Sequence, residues 1–269
     1  MKIHQLRNAT LVIESGNHAI LIDPMLSAKS AQPPFSLFRA KPRRNPTVEL
    51  PNNANDILSK VTHAIITHSQ TFGIQALQHT DHLDQDGETF LKNRNIPIAT
   101  PAKDADYLRR KGLDVVCDAT PWQRTEFAGG FITAIPAQHG HGWIHKVMAN
   151  GAGFVIALSN EPSVYVSGDT VLTDDVRRAL DELKPDIAIV AAGNAKMDVG
   201  NPLLMGADEL IEFIQRSPGQ VIANHMEALN HCHIDRTQLS ALITQYGLGD
   251  KVLIPADGET LTFAERITA

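Results

Sequence analysis

The 269-residue sequence predicts an α/β (α+β) fold: two β sheets with helices outside them, in one domain spanning residues 1–269. Three observations carry this expectation. The opening 25 residues read as β structure, short strands alternate with helices from residue 96 onward, and no internal repeat or low-complexity segment divides the chain. A hydrophobic content of 43% and a charged content of 20% are those of an ordinary globular protein with a well-buried core.

In order along the chain, Thr10–Glu14 and Ala19–Asp23 are apolar runs flanking Ser15-Gly16-Asn17, a hairpin signal. Residues 26–56 carry prolines at 33, 34, 42, 46 and 51 without periodicity, which predicts a long surface loop of the kind that carries function. Val61–Thr67 returns to a buried strand. Ile96–Ala99 is a strand leading into a helix near Lys103–Lys111, which Gly112 stops. Val115–Cys117 and Phe131–Ile135 are strands, and Phe154–Leu158 with Ser163–Ser167 forms a hairpin around Asn160-Glu161-Pro162. Helices are expected near Thr173–Leu183, Ala207–Gln215 and Thr237–Tyr246. The last starts from Asp235 with Gln238 three residues on, a capping-box pattern. Ile187–Val190, Val221–Ala223, Leu253–Pro255 and Thr260–Phe263 complete the strands.

The formal net charge is -6 and the longest run of Lys and Arg is the tripeptide Arg109-Arg110-Lys111, which argues against a broad nucleic-acid footprint or an anionic-membrane surface. Lys41-Pro42-Arg43-Arg44 is a local basic cluster. Two cysteines suggest a reducing compartment. The N-terminus lacks a signal-like apolar segment, and no stretch is long enough to span a bilayer. A cytoplasmic protein acting on a small molecule, with neither nucleic acid nor membrane as partner, is the expectation; homo-oligomers are common among such enzymes.

Metal-ligand residue types stand at the ends of strands. His68 closes Ala64-Ile65-Ile66-Thr67, His79-Thr80-Asp81-His82 follows, and His139, Asp169 and His225 come at wide intervals. Cys117 and Cys232 sit in no ligand-spaced motif, so the pattern points to a hydrolytic centre rather than a structural zinc clip.

These residues, in this order, resemble the metallo-β-lactamase superfamily, with its His-x-His-x-Asp-His loop, a distant His, a bridging Asp and a final His. Ile22-Asp23-Pro24 is similar to a turn of the ascorbate-phosphate-lactonase-like hydrolases in it. The resemblance covers nearly the whole chain. It implies a four-layer αββα sandwich with the metal site at one edge between the sheets. One departure is that ten residues, Ser69 to Gln78, stand between the first two histidines, where the family has one. An inserted loop with both histidines still ligating is the favoured reading.

Carried over residue by residue, the resemblance implies one metal site from His68, His79 and His139, and another from Asp81, His82 and His225, with Asp169 bridging. Two divalent ions about 3.5–4 Å apart can activate water and neutralise charge developing on a substrate. Histidine and carboxylate ligands suit zinc or manganese, and iron also. Asp81 is the candidate for orienting the nucleophile. His139 is preferred to His141 because it follows the Phe131–Ile135 strand at the family's offset, which leaves His141 as a catalytic pocket residue able to donate to a substrate oxyanion, or as a simply exposed one. His225 is preferred to His231 and His233 because it directly follows a strand, and the latter two are assigned to loop packing. Lys196 could bind an anionic leaving group or be solvated, and Trp143 could wall the pocket. His4, His18, His63 and His145 read as structural.

The expected function is metal-dependent hydrolysis of an ester, lactone or phosphodiester of a small molecule. An RNA- or phosphodiester-cleaving nuclease of the same fold is the alternative enzyme. A catalytically impaired metal-binding or sensing module is the alternative outside enzymes, if the insertion keeps His68 and His79 apart.

Overall fold

The computed structural model describes residues 1–70, 72 and 78–266; most of the inserted segment, residues 71 and 73–77, lies outside the described residues, as do 267–269. The chain opens on an antiparallel meander, β1 (Lys2–Arg7), β2 (Thr10–Ser15) and β3 (His18–Ile22). Residues 23–53 form no helix or named strand. Then come α1 (Ala54–Ser59), β4 (His63–Ile65), α2 (Gln85–Asn93), β5 (Ile98–Pro101), α3 (Ala102–Arg110) and β6 (Val115–Ala119). The second half holds β7 (Arg124–Phe127), β8 (Gly130–Pro136), a 3-10 turn (Ile144–Lys146), β9 (Ala152–Ala157), β10 (Val164–Val166) and α4 (Asp174–Arg178). It closes with β11 (Ile187–Ala191), α5 (Ala207–Arg216), β12 (Gln220–Asn224), α6 (Arg236–Gln245), β13 (Val252–Leu253) and β14 (Thr260–Thr262).

Two seven-stranded sheets result, ordered β14-β1-β2-β3-β4-β5-β6 and β13-β12-β11-β10-β9-β8-β7. In each, antiparallel strands give way to parallel ones, and there helices provide the crossovers. Alternation along the strands sends one set of side chains inward: Ile3, Ile13, Ile22, Phe154 and Ile189 share the core between the sheets. The opposite face of the first sheet carries Val12, Leu21 and Ala64, packed with Ile57, Leu91 and Leu108 of α1, α2 and α3. That of the second carries Tyr165, Val190 and Val221, packed with Val176, Phe213 and Leu239 of α4, α5 and α6. Helix, sheet, sheet, helix: this is the αββα sandwich.

Several boundaries differ from expectation. The strand expected over Val61–Thr67 pairs only across His63–Ile65. Residues 66–68 continue past the sheet edge, where the site begins. The helix expected over Thr173–Leu183 changes to a π-turn at Ala179–Leu183. α1, α2 and β7 were not foreseen. α2 starts from Asp84, whose carboxylate caps Gly87 N at 2.8 Å and also accepts Leu26 N and Ser27 N.

The 26–56 loop is pinned at three points. Fully buried Arg7 donates to Met25 O, Ser27 O and Val48 O. Asp198 accepts from Ser36 Oγ and from the backbone of Leu37, Phe38 and Arg39. Asn230 accepts from Phe35 N and donates to Ser36 O.

Candidate metal centre

The inserted segment is closed at its neck. His79 N donates to Ser69 O at 2.9 Å, and Gln70 and Gln78 form an antiparallel bridge. The chain therefore leaves the sheet edge at His68 and returns beside it, so the ring centroids of His68 and His79 lie 4.8 Å apart. A helical turn follows, with His82 N and Leu83 N both donating to His79 O. It presents His79, Asp81 and His82 together just before the Asp84 cap.

His139 follows β8, and its backbone N donates to Asn150 Oδ1 at 2.8 Å. Asp169 follows β10, and His225 directly follows β12 with φ at 57°, an uncommon value for a histidine that turns it off the strand. Gly151 completes the enclosure. A Cβ there would stand 2.3 Å from Thr67 O and 2.6 Å from His68 Cβ, so only glycine lets this segment lie against His68.

Two groups of ligand atoms result: His68, His79 and His139; and Asp81, His82, Asp169 and His225. Within each, the atoms lie within 4.8 Å of one another. Asp169 joins the two. Its Oδ2 is 3.2 Å from His82 Nε2, 3.5 Å from His139 Nε2 and 3.5 Å from His225 Nε2. All are buried except His79, which is partly exposed.

The outward ring nitrogens are engaged. His82 Nδ1 donates to Asp23 Oδ2 at 2.8 Å, and His139 Nδ1 donates to Leu203 O at 3.2 Å. His68 Nδ1 donates to Thr67 Oγ1 at 3.0 Å, and that hydroxyl donates to Asp23 Oδ2 at 2.7 Å. Cys232 Sγ lies 3.6 Å from His225 Nδ1. The inward atoms are different: His68 Nε2, His82 Nε2, His225 Nε2 and Asp169 Oδ1 are buried without a hydrogen-bond partner. Buried polar atoms left so are costly, and outward N–H bonds leave Nε2 as the lone-pair donor. The residues fit a divalent-metal centre.

Electrostatics agree with that fit. Burial pushes His79 down to about 3 and holds His68 well below its ordinary value, so both stand as neutral donors. Burial also opposes charge on Asp81 and Asp169, but the facing histidines overcome it and hold both carboxyls well below the usual range. Against the same burial, Asp169, Asp23 and Asp81 raise His82 to about 10. Against burial, Asp169 and Asp81 likewise hold His225 well above its ordinary value, so without a cation His82 and His225 carry the charge that neutralises the acids.

A cavity of about 270 Å³ opens onto these residues. His79, Asp81 and His139 form its floor, and Phe35, Val147, Met148, Met197 and Leu203 its apolar walls. His231 also lines it, and neither of its ring nitrogens makes a hydrogen bond among the described residues.

The expectation for His141 is corrected. Its Nε2 bonds Glu209 Oε2 of α5 at 2.9 Å, and it does not line the cavity, because the turn at Gly140 and Gly142 carries it outward. Trp143 is likewise 57% exposed and Lys196 stands off the cavity, so neither shapes it. His231, expected in loop packing, is instead a pocket residue. Asp23 was seen in the Ile22-Asp23-Pro24 turn, but its hold on two histidines was not; an acid at a strand end beside the metal-ligand strand was the available signal.

Residues 18–226 match the family model for the beta-lactamase superfamily domain. The chain belongs to the beta-lactamase superfamily. Within it, the chain is 33% identical over 267 residues to the UPF0173 protein YddR of Bacillus subtilis, covering 98% of this chain and 100% of that one. It is 25% identical to a UPF0173 metal-dependent hydrolase of Flavobacterium johnsoniae, over 85% of this chain and 91% of the other. The solved structure of isothiocyanate hydrolase from Delia radicum gut bacteria superposes with a TM-score of 0.83 at 32% identity, over 98% of this chain and 99% of that chain. This superfamily member is a metal-dependent hydrolase of the metallo-β-lactamase fold.

Proposed function

We propose that the chain hydrolyses a small, neutral electrophile with an apolar substituent, an isothiocyanate first among them, at a centre of two divalent metals. The observation that carries this reading is the pocket lining. Five apolar side chains wall a cavity of about 270 Å³ above the ligand clusters, and no Lys or Arg lines it among the described residues. Such a surface takes an organic group out of water, and its walls offer a phosphodiester no Lys or Arg among the described residues. The isothiocyanate hydrolase at 32% identity supplies the substrate to try first.

A divalent metal pair, when bound, supplies Lewis acidity and makes water a nucleophile at neutral pH. The two ligand groups would each hold one ion, with Asp169 shared. Asp81 accepts a hydrogen bond from the attacking water and sets its direction. Phe35, Val147, Met148, Met197 and Leu203 hold the substituent and exclude bulk water. A ring N–H of His231 donates to the heteroatom on which charge develops.

For an isothiocyanate, water oxygen bonds to the central carbon, the C=N π bond opens, and nitrogen takes a proton. The thiocarbamic acid formed divides into an amine and carbonyl sulfide. A neutral ester or lactone suits the same walls and is the second substrate class. The test is to assay metal-loaded protein side by side on phenyl isothiocyanate, a neutral lactone and bis-p-nitrophenyl phosphate. Turnover of the first or second is expected; efficient turnover of the phosphodiester alone would overturn the reading.

A further inference from the structure

A second cavity, of about 450 Å³, adjoins the metal pocket. The two share Met148, and the Tyr107 hydroxyl in the cleft wall donates to Gln78 Oε1 in the pocket wall at 2.9 Å. The linings differ in kind. Where the pocket is apolar, the cleft is lined by Lys103 and Arg110 of α3 and by Lys146 of the 3-10 turn. Lys103, Tyr107 and Arg110 are spaced i, i+4 and i+7, one stripe of the helix.

Neighbouring cations are neutralised: Arg109 pairs with Asp118 and Asp106, and Lys111 pairs with Glu88. Lys103, Arg110 and Lys146 make no ion pair or side-chain hydrogen bond among the described residues. Asp106 is the cleft's one carboxylate among the described residues, and it leans on Arg109 at 3.5 Å. Asp104 acts on Lys103 without pairing with it, and three cations that have no ion-pair partner among the described residues, gathered around one cavity in a chain of formal net charge -6, create a local positive field.

We propose that this cleft binds a carboxylate carried on the substrate, while the electrophilic group of the same molecule enters the metal pocket past Met148. Arg110 offers the planar fork that suits a carboxylate, and Lys103 and Lys146 add point charges. This rests on the reading of the metal pocket as the reacting site. The cleft then selects among neutral electrophiles by what they carry at the far end.

The test uses the full-length, metal-loaded protein and a triple variant, Lys103→Gln, Arg110→Gln and Lys146→Gln, three exposed changes compatible with helix. kcat/KM is measured on 4-carboxyphenyl isothiocyanate and on phenyl isothiocyanate. The variant should lose about tenfold on the carboxylate substrate, as three exposed ion pairs would give, and stay within about twofold on the neutral one. Equal effects on both, or none on either, would overturn the proposal. Should wild type turn over neither substrate, the substrate reading fails and binding decides the cleft. Calorimetric affinity for 4-aminobenzoate should then be weaker in the variant, and equal affinity, or none in wild type, would count against it.

Discussion

Asp23 Oδ2 accepts hydrogen bonds from His82 Nδ1 at 2.8 Å and from Thr67 Oγ1 at 2.7 Å, and Thr67 in turn accepts from His68. One carboxylate thus sets the tautomer of a histidine in each ligand group. Its own place is fixed by Thr67 N donating to Oδ1 at 2.8 Å and by a backbone φ of 45°, both at the junction of β3 and β4.

Asp23→Asn keeps the shape but replaces an acceptor with an amide that can turn a donor toward either partner. Metal affinity should fall by about 10–100-fold, read by competition with a chromogenic chelator. Unchanged affinity would show that Asp23 does not hold the ligands.

Gly151→Ala places a methyl against Thr67 O and His68. Backbone must shift, so stability should drop by about 1–3 kcal/mol, several degrees in melting temperature. Metal content should fall as well because His68 moves. An alanine variant with wild-type melting temperature and metal content would refute this packing.

The metal-free protein should bind metal with release of protons. Burial works against charge on His82, yet Asp169, Asp23 and Asp81 raise its pKa to about 10. The stability from charged His82 is fully present below the unfolded value of about 6.5 and is lost as pH rises through about 10. A metal needs the neutral ring and must expel that proton. Between about pH 6.5 and 10 apparent affinity should therefore rise with pH, whereas His79, held at about 3, releases none. Calorimetry in buffers of different ionisation enthalpy reads the protons directly. A pH-independent affinity with no proton release would contradict the assignment.

His231→Phe removes the donor while keeping the pocket filled. Hydrolysis should fall by about 100-fold in kcat/KM with metal content unchanged, and His231→Gln, which retains an N–H, should recover part of it. Loss of metal together with activity would instead place His231 among the ligands.

Much of this was legible in the sequence, for physical reasons. The strands that end in His68, Asp169 and His225 are apolar runs, and residues at their mouths are positioned by the sheet itself. The partners of these residues were less legible. His141 and His231 each follow a candidate ligand closely, and only the turn at Gly140 and Gly142 sends one outward, while ring packing of His231 against Phe35, at 5.2 Å, turns the other in. Phe35 itself arrives from an irregular loop whose course depends on Arg7, Asp198 and Asn230, contacts across more than 150 residues for the latter two. α2 was missed because its Asp84 cap sits directly after the ligand turn, where the histidines dominate the pattern.

The central claim is that the chain holds two metals, one in each ligand group, despite the insertion after His68. Elemental analysis of protein purified without chelators or an affinity metal, comparing wild type with His68→Ala and His225→Ala, tests it most directly. The account predicts about two divalent ions per chain in wild type and about one fewer in each variant. A single ion or none in wild type, or two that survive both substitutions, would contradict it.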